Sequence, residues 1–200
     1  INSTEAEHQA RTSMKSKSLQ SIAYHEAGHA VVAHSTNYPF LFVTIIPDRN
    51  SGSLGHLLEK KVRFFTTIEW DITPLMERRI RENIVGFLAG GIAQKKFNPH
   101  GYRHYHAKSD HDSVADLAIR LNGGNSELAT AYIHWLQLAA SQLVDKHWKS
   151  ISSVAKELIC CKTLNYQDVD RIIFLAKGRT EKEWQSWCEG AKALKQKLEL

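Results

Sequence analysis

From Ser18 onward the apolar positions Leu19, Ile22, Ala23, Ala27, Ala30 and Val31 recur at intervals of three and four. This is the stripe of an amphipathic helix running to about Ser35, where Asn37 and Pro39 end it. Residues 1–17 are polar, lack such a stripe and read as a loosely ordered lead-in. A β-branched and aromatic run at 40–46, closed by Pro47, predicts a buried strand. Turn chemistry around Asn50-Ser51-Gly52 follows, and a second short strand at 56–61 is expected to pair back on the first. Residues 67–97 form the longest helical pattern, with Pro74 as a first turn or a break and Leu75, Ile80, Ile84, Phe87 and Leu88 as its core stripe. An irregular His-rich loop spans 97–108. A helix starting at Ser109 then turns Val114, Leu117, Ala118 and Leu121 inward and breaks at Asn122-Gly123-Gly124-Asn125. Helical patterns at 126–149, 151–161, 166–176 and 180–198 complete the chain. The expected fold class is mainly α (α+β), with a small β element beside the first helix. No repeat or linker interrupts 18–200, which reads as one domain.

Composition narrows the classes. The chain has 200 residues, 42% hydrophobic and 24% charged, and such a chain buries a core without disulfide or metal staples. A metal here is therefore expected to be functional rather than structural. The net charge of +5 is dispersed, with Lys15, Lys17, Lys60, Lys61 and Arg63 scattered among other residues, so no nucleic-acid partner is expected. The longest apolar stretch, 84–93, contains Gly86, Gly90 and Gly91 and is about half the ~20 residues that a membrane helix needs. The N-terminus carries no signal-peptide hydrophobic region. Cys160 and Cys161 are adjacent, Cys188 stands apart and no CxxC occurs, which points to a reducing, cytoplasmic location without a thiolate metal site. The phosphate-binding pattern GxxxxGK[ST] is absent from these residues, and the first residue is Ile rather than Met, as in a fragment or a processed form.

The chemistry sits in His25-Glu26-Ala27-Gly28-His29, an HExxH pattern inside the first helix. Residues at i and i+4 share one helix face, so His25 and His29 can offer two imidazole nitrogens to one zinc ion. Glu26 lies one residue round. It can reach a water on the zinc, whose pKa falls to ~7, and act as general base toward a carbonyl carbon. Gly28 in mid-helix costs about 1 kcal/mol relative to Ala, which a close neighbour such as a strand or a substrate backbone would explain.

The stretch Ala23-Tyr24-His25-Glu26-Ala27-Gly28-His29-Ala30-Val31-Val32 resembles the zinc helix of the FtsH-type proteases, the membrane-anchored AAA metalloproteases. The resemblance continues at Val43-Thr44-Ile45-Ile46-Pro47 with Leu54-Gly55, similar to the family's strand and turn. Leu88-Ala89-Gly90-Gly91-Ile92-Ala93 is similar to its Gly-Gly helix end, and Leu164 to Ile172 to its closing segment. It covers about residues 19–175. It implies a helical zincin-like peptidase domain, zinc as cofactor, an aspartate as third ligand and a polypeptide substrate. The family's ATPase module is absent from these residues, Gln94 stands where the family has an acidic residue, and the Thr-Gly-Ala before the aspartate is missing.

Asp112, followed by the helical 115–118, matches the third-ligand segment and completes the three protein ligands usual for catalytic zinc; Asp110 competes with it. The alternatives are a helix-terminal acid at Asp110 and the capping partner of Ser109 at Asp112. His100, His104, His106 and His111 are the fallback ligands, His34 and His56 read as structural or surface residues, and Tyr102 and Tyr105 are candidate oxyanion donors. The strand at 40–46 has a second expected role as an edge that takes substrate as an added strand. The expected function is a zinc metalloendopeptidase acting on unfolded or flexible polypeptide, as a homo-oligomer or with a separate ATPase. The rival is a catalytically weak or inactive peptidase-like module that binds or regulates protein partners.

Overall fold

The computed structural model describes residues 3–48, 54–59, 72–102 and 107–198. Among them lie seven helices and one three-stranded sheet. The helices are α1 (Ser3–Ser35), α2 (Pro74–Phe97), α3 (Lys108–Leu121), α4 (Ser126–Lys146), α5 (Trp148–Cys161), α6 (Tyr166–Ala176) and α7 (Glu181–Leu198). The strands are β1 (Phe40–Thr44), β2 (His56–Glu59) and β3 (Thr163–Asn165). The mainly α class with a small β element is what the pattern predicts.

Helix α1 begins at Ser3, well before the expected Ser18. Glu5, Ala6, Glu7, Gln9, Ala10 and Arg11 are strong helix formers, and a missing apolar stripe speaks to burial, not to helix formation. The expected helix at 67–97 starts at Pro74, where the Thr73 side chain accepts the Met76 N–H and proline occupies a first-turn position that needs no donor; residues 67–71 lie outside the described residues. Gly90 and Gly91 fall inside α2, not at its end.

The sheet order is β2-β1-β3, antiparallel throughout. The expected hairpin is present: Val43 pairs with Leu57 and Thr44 with His56. Its return strand is described to Glu59, and the Asn50-Ser51-Gly52 turn lies outside the described residues. On the other side Val43 pairs with Leu164 and Thr44 with Thr163, so β1 is the central strand and not the expected substrate-accepting edge. A three-residue β3 was invisible to an alternation pattern, and it is β3 that covers that edge.

The core gathers around α1, which packs on α2 and α5 through Ala23, Ala27, Ala30 and Val31. Ile84, Leu136, Ile151 and Leu158 are fully buried, each worth roughly 1.5–3 kcal/mol of transfer free energy. A Cβ at Gly28 would lie 2.7 Å from the Ala89 carbonyl oxygen and 2.8 Å from Ala93 Cβ. The close neighbour that explains this glycine is therefore α2. Tyr24 stacks on Phe97 with ring centroids 3.9 Å apart and on Trp148 at 5.4 Å, which pins α1 just before His25.

Candidate metal centre

His25 and His29 project from one face of α1 and are both buried, as the i,i+4 spacing requires. Their Nε2 atoms lie 3.0 Å apart. Asp110 Oδ2, from the first turn of α3, lies 3.0 Å from His25 Nε2 and 3.4 Å from His29 Nε2. Each ring is held from behind by α2. His25 Nδ1 donates to the Gln94 side-chain carbonyl at 3.1 Å, and His29 Nδ1 donates to the Gly86 backbone carbonyl at 2.8 Å. A Cβ at Gly90 would overlap the His29 imidazole, so glycine there makes the slot for the ring.

Those back contacts decide what the front of the site can hold. A neutral imidazole that donates through Nδ1 carries a bare lone pair on Nε2. With both rings neutral, two such lone pairs and a carboxylate oxygen face one another, and only a proton or a metal ion can separate them. Three acceptors at this spacing repel unless a cation sits among them. The separations also match the roughly 3.3 Å edge of a tetrahedron whose metal–nitrogen bonds are about 2.0–2.1 Å. His25, His29 and Asp110 are the group among the described residues whose ligand atoms converge in this way, all within 4.8 Å.

Without a metal ion the same charges draw a proton to this point. Burial pulls the His29 pKa down, but the Asp110 charge and hydrogen bond, with Glu26 and the Gly86 carbonyl, outweigh it and lift the pKa to about 9. Burial likewise would raise the Asp110 carboxyl, yet His29 and His25 hold it well below the usual carboxylate range. The site favours positive charge at the point where the three ligand atoms meet.

Glu26 lies beside this point, 4% exposed, and burial raises its pKa against the opposing pull of His25 and His29. Its Oε2 finds no hydrogen-bond partner among the described residues. Gly55, at the foot of β2, makes room for it: a Cβ there would be 2.8 Å from Glu26 Oε1 and from the Thr44 carbonyl. A buried carboxylate oxygen without a partner is costly and calls for a protic group in its place.

Asp112 is not brought to this cluster. It is exposed on α3, and the structure brings Asp110 there instead. Helix α3 buries Val114 and Ala118, and Asp110 falls on the same i,i+4 stripe, whereas Asp112 is about 200° round from Val114. Asp112 shares its side of the helix with Asp116, which pairs with Arg120. Nor is Asp112 a capping partner, because α3 starts at Lys108 and has no side-chain cap.

Of the other expected residues, His34 pairs with Asp170 at 2.8 Å and His56 packs its ring against Phe42 with centroids 5.8 Å apart. His100 and His111 are exposed and outside the cluster, while His104, Tyr105 and His106 lie outside the described residues. Tyr102 is half-buried, and burial with the nearby Asp110 charge pushes its hydroxyl pKa up. Gln94, Gly86, Gly90 and Gly55 carry parts of the site that a search for ligands alone passes over. Their signal is the spacing of 86, 90 and 94, one face of α2 across from His29 and His25.

The chain is similar to an ATP-dependent zinc metalloprotease FtsH from Aster yellows witches'-broom phytoplasma (strain AYWB), 23% identical over 188 residues. The match covers 80% of this chain and 26% of that relative, so the chain spans about a quarter of the relative's length. No family model matches the chain. Among the described residues no helix is long and apolar enough to cross a membrane. The likeness is distant, and beside it stands a His-His-Asp cluster that could hold a metal ion.

Proposed function

We propose that this chain is a zinc-dependent metalloendopeptidase acting on unfolded or flexible polypeptide, with His25, His29 and Asp110 as ligands and Glu26 as general base. The observation that carries the reading is the convergence of two imidazole nitrogens and a carboxylate oxygen on one point, beside a buried Glu26 oxygen that has no hydrogen-bond partner among the described residues. When bound, zinc supplies Lewis acidity, which activates water and polarises a substrate carbonyl. Glu26 Oε2 takes the proton from the attacking water and hands it on to the leaving amine. The space left by Gly55 admits the Glu26 carboxylate beside the residues that would hold the ion. An extended substrate chain pairs with the outer edge of β2, whose first residues flank Glu26, because β1 has strands on both sides.

Metal analysis and casein hydrolysis test this directly. The wild-type protein is expected to hold about one zinc, and His25→Ala and His29→Ala to lose it. Glu26→Gln is expected to keep the zinc while turnover falls by roughly 10²–10⁴-fold. A zinc-free wild type, or unchanged turnover in Glu26→Gln, overturns the reading. A cleavable sequence presented as a free peptide is expected to be cut much faster than the same sequence inside a stable domain, with no stimulation by ATP from this chain alone. Local opening must come first in the folded context, and these residues contain no phosphate loop to drive it.

A further inference from the structure

We infer that Gln94 is a positioning residue of the metal centre, its side-chain carbonyl fixing the His25 ring in the tautomer that leaves Nε2 free for the ion. The inference rests on the zinc reading above. Gln94 is 2% exposed, inside the packing of α2 on α1, where an amide has to be hydrogen-bonded to be tolerated. Its Oε1 lies 3.1 Å from His25 Nδ1. A carbonyl oxygen can only accept, so Nδ1 carries a proton, and in the neutral ring the lone pair is on Nε2.

Gly86, Gly90 and Gln94 follow one another at i, i+4 and i+8 along α2. Gly86 supplies the acceptor for His29, Gly90 the space for its ring, and Gln94 the acceptor for His25. The two ligands one turn apart on α1 are thus matched by acceptors two turns apart on a helix running the other way. Both acceptors are neutral carbonyls, so among the described residues the negative charge at the centre comes from Asp110 and Glu26. A carboxylate at position 94 would draw the Nδ1 proton more strongly and make His25 a stronger ligand. Gln94 therefore fixes geometry without adding a third negative charge.

The test compares wild type, Gln94→Met and Gln94→Glu by zinc affinity in chelator competition and by the visible spectrum of the Co²⁺-substituted protein. Circular dichroism of the metal-free proteins checks folding. Methionine fills similar volume without an acceptor, so Gln94→Met is expected to weaken zinc roughly 10–100-fold and to shift the Co²⁺ spectrum. Gln94→Glu is expected to bind zinc about tenfold more tightly. If Gln94→Met binds zinc as wild type does, with the same Co²⁺ spectrum, the role of Gln94 falls while the metal centre stands. If Gln94→Met does not fold, Gln94→Glu decides: tighter binding supports the inference, and equal or weaker binding overturns it. Failure of the wild type to bind zinc defeats the metal-centre reading itself and this inference with it.

Discussion

Helix α1 makes histidine–carboxylate contacts at two places. Near its C-terminal end His34 Nε2 meets Asp170 Oδ1 of α6 at 2.8 Å, with both side chains about one-fifth exposed, 19% and 22%. Nine and five residues earlier His25 and His29 meet Asp110 of α3 at 3.0 and 3.4 Å. The distances are alike and the chemistry is not. At His34 one ring N–H matches one carboxylate oxygen, and the contact ties α1 to α6. At the other place each ring already gives one N–H to Gln94 or Gly86, so the two Nε2 atoms crowded on one Asp110 oxygen can share it only through a proton or a metal ion. An ion pair is recognised by matched donors and acceptors; a metal site is recognised by their mismatch.

The largest expected effect breaks this contrast at the carboxylate. Asp110→Ala is expected to lower zinc affinity beyond the roughly 10–100-fold that loss of an outer-shell partner produces. Asp112→Ala and Asp170→Ala are expected to leave it unchanged. Chelator competition on the three variants reads this directly. Zinc binding lost in Asp112→Ala and kept in Asp110→Ala would reverse the assignment.

The choice between these aspartates shows what the sequence makes legible. The helix that carries HExxH, the hairpin after it and the helical second half all follow from local periodicity and turn chemistry, and the nearness of His25, Glu26 and His29 from their spacing. Asp112 is favoured when the ligand is counted along the chain from the following helix. Asp110 is favoured when it is asked which acid shares the inward face with Val114 and Ala118, and the sequence contains that answer. The parts that remain hidden are contacts across long separations. Sixty-nine positions separate Gln94 from His25, and nothing local announces that a buried amide on α2 meets a ring on α1. The three-residue β3 is hidden for the same reason: only its pairing with β1 makes it a strand.

The next effect acts on the slot instead of the ligand. Gly90→Ala places a methyl group inside the His29 ring, which must swing away from Asp110 or push the helices apart. Overpacking of this kind costs about 1–3 kcal/mol. Zinc affinity is expected to fall together with stability, as read by chelator competition and thermal unfolding. Gly28→Ala, which drives a methyl group onto the Ala89 backbone carbonyl, is expected to lower stability by a similar amount. A metal-free Gly28→Ala protein as stable as wild type would show that the α1–α2 approach is looser than it stands here.

A smaller effect is expected at the matched pair. Asp170→Ala removes the partner of His34 in a partly exposed setting, at a cost of about 1–2 kcal/mol in unfolding free energy. Its zinc affinity and turnover are expected to equal those of wild type, because the contact ends at α6 and touches neither α2 nor α3. A large loss of zinc in this variant would mean that the two ends of α1 are coupled, and that the contrast between them is wrong.

The smallest effect has the opposite sign. Gly86 and Gly90 lie one turn apart on α2 and both face His29, but they serve it through different atoms. Gly90 serves by lacking a side chain. Gly86 serves through its carbonyl, which accepts from His29 Nδ1, and a Cβ added at Gly86 meets nothing within 4 Å. Alanine keeps that carbonyl and is the better helix former in a helix interior. Gly86→Ala is therefore expected to raise stability by about 0.5–1 kcal/mol and to leave zinc affinity where it is. Urea unfolding of the metal-free protein, paired with chelator competition, measures both terms. Loss of zinc in Gly86→Ala would show that position 86 must also yield space, and that His29 is held by a tighter socket than one carbonyl and one glycine provide.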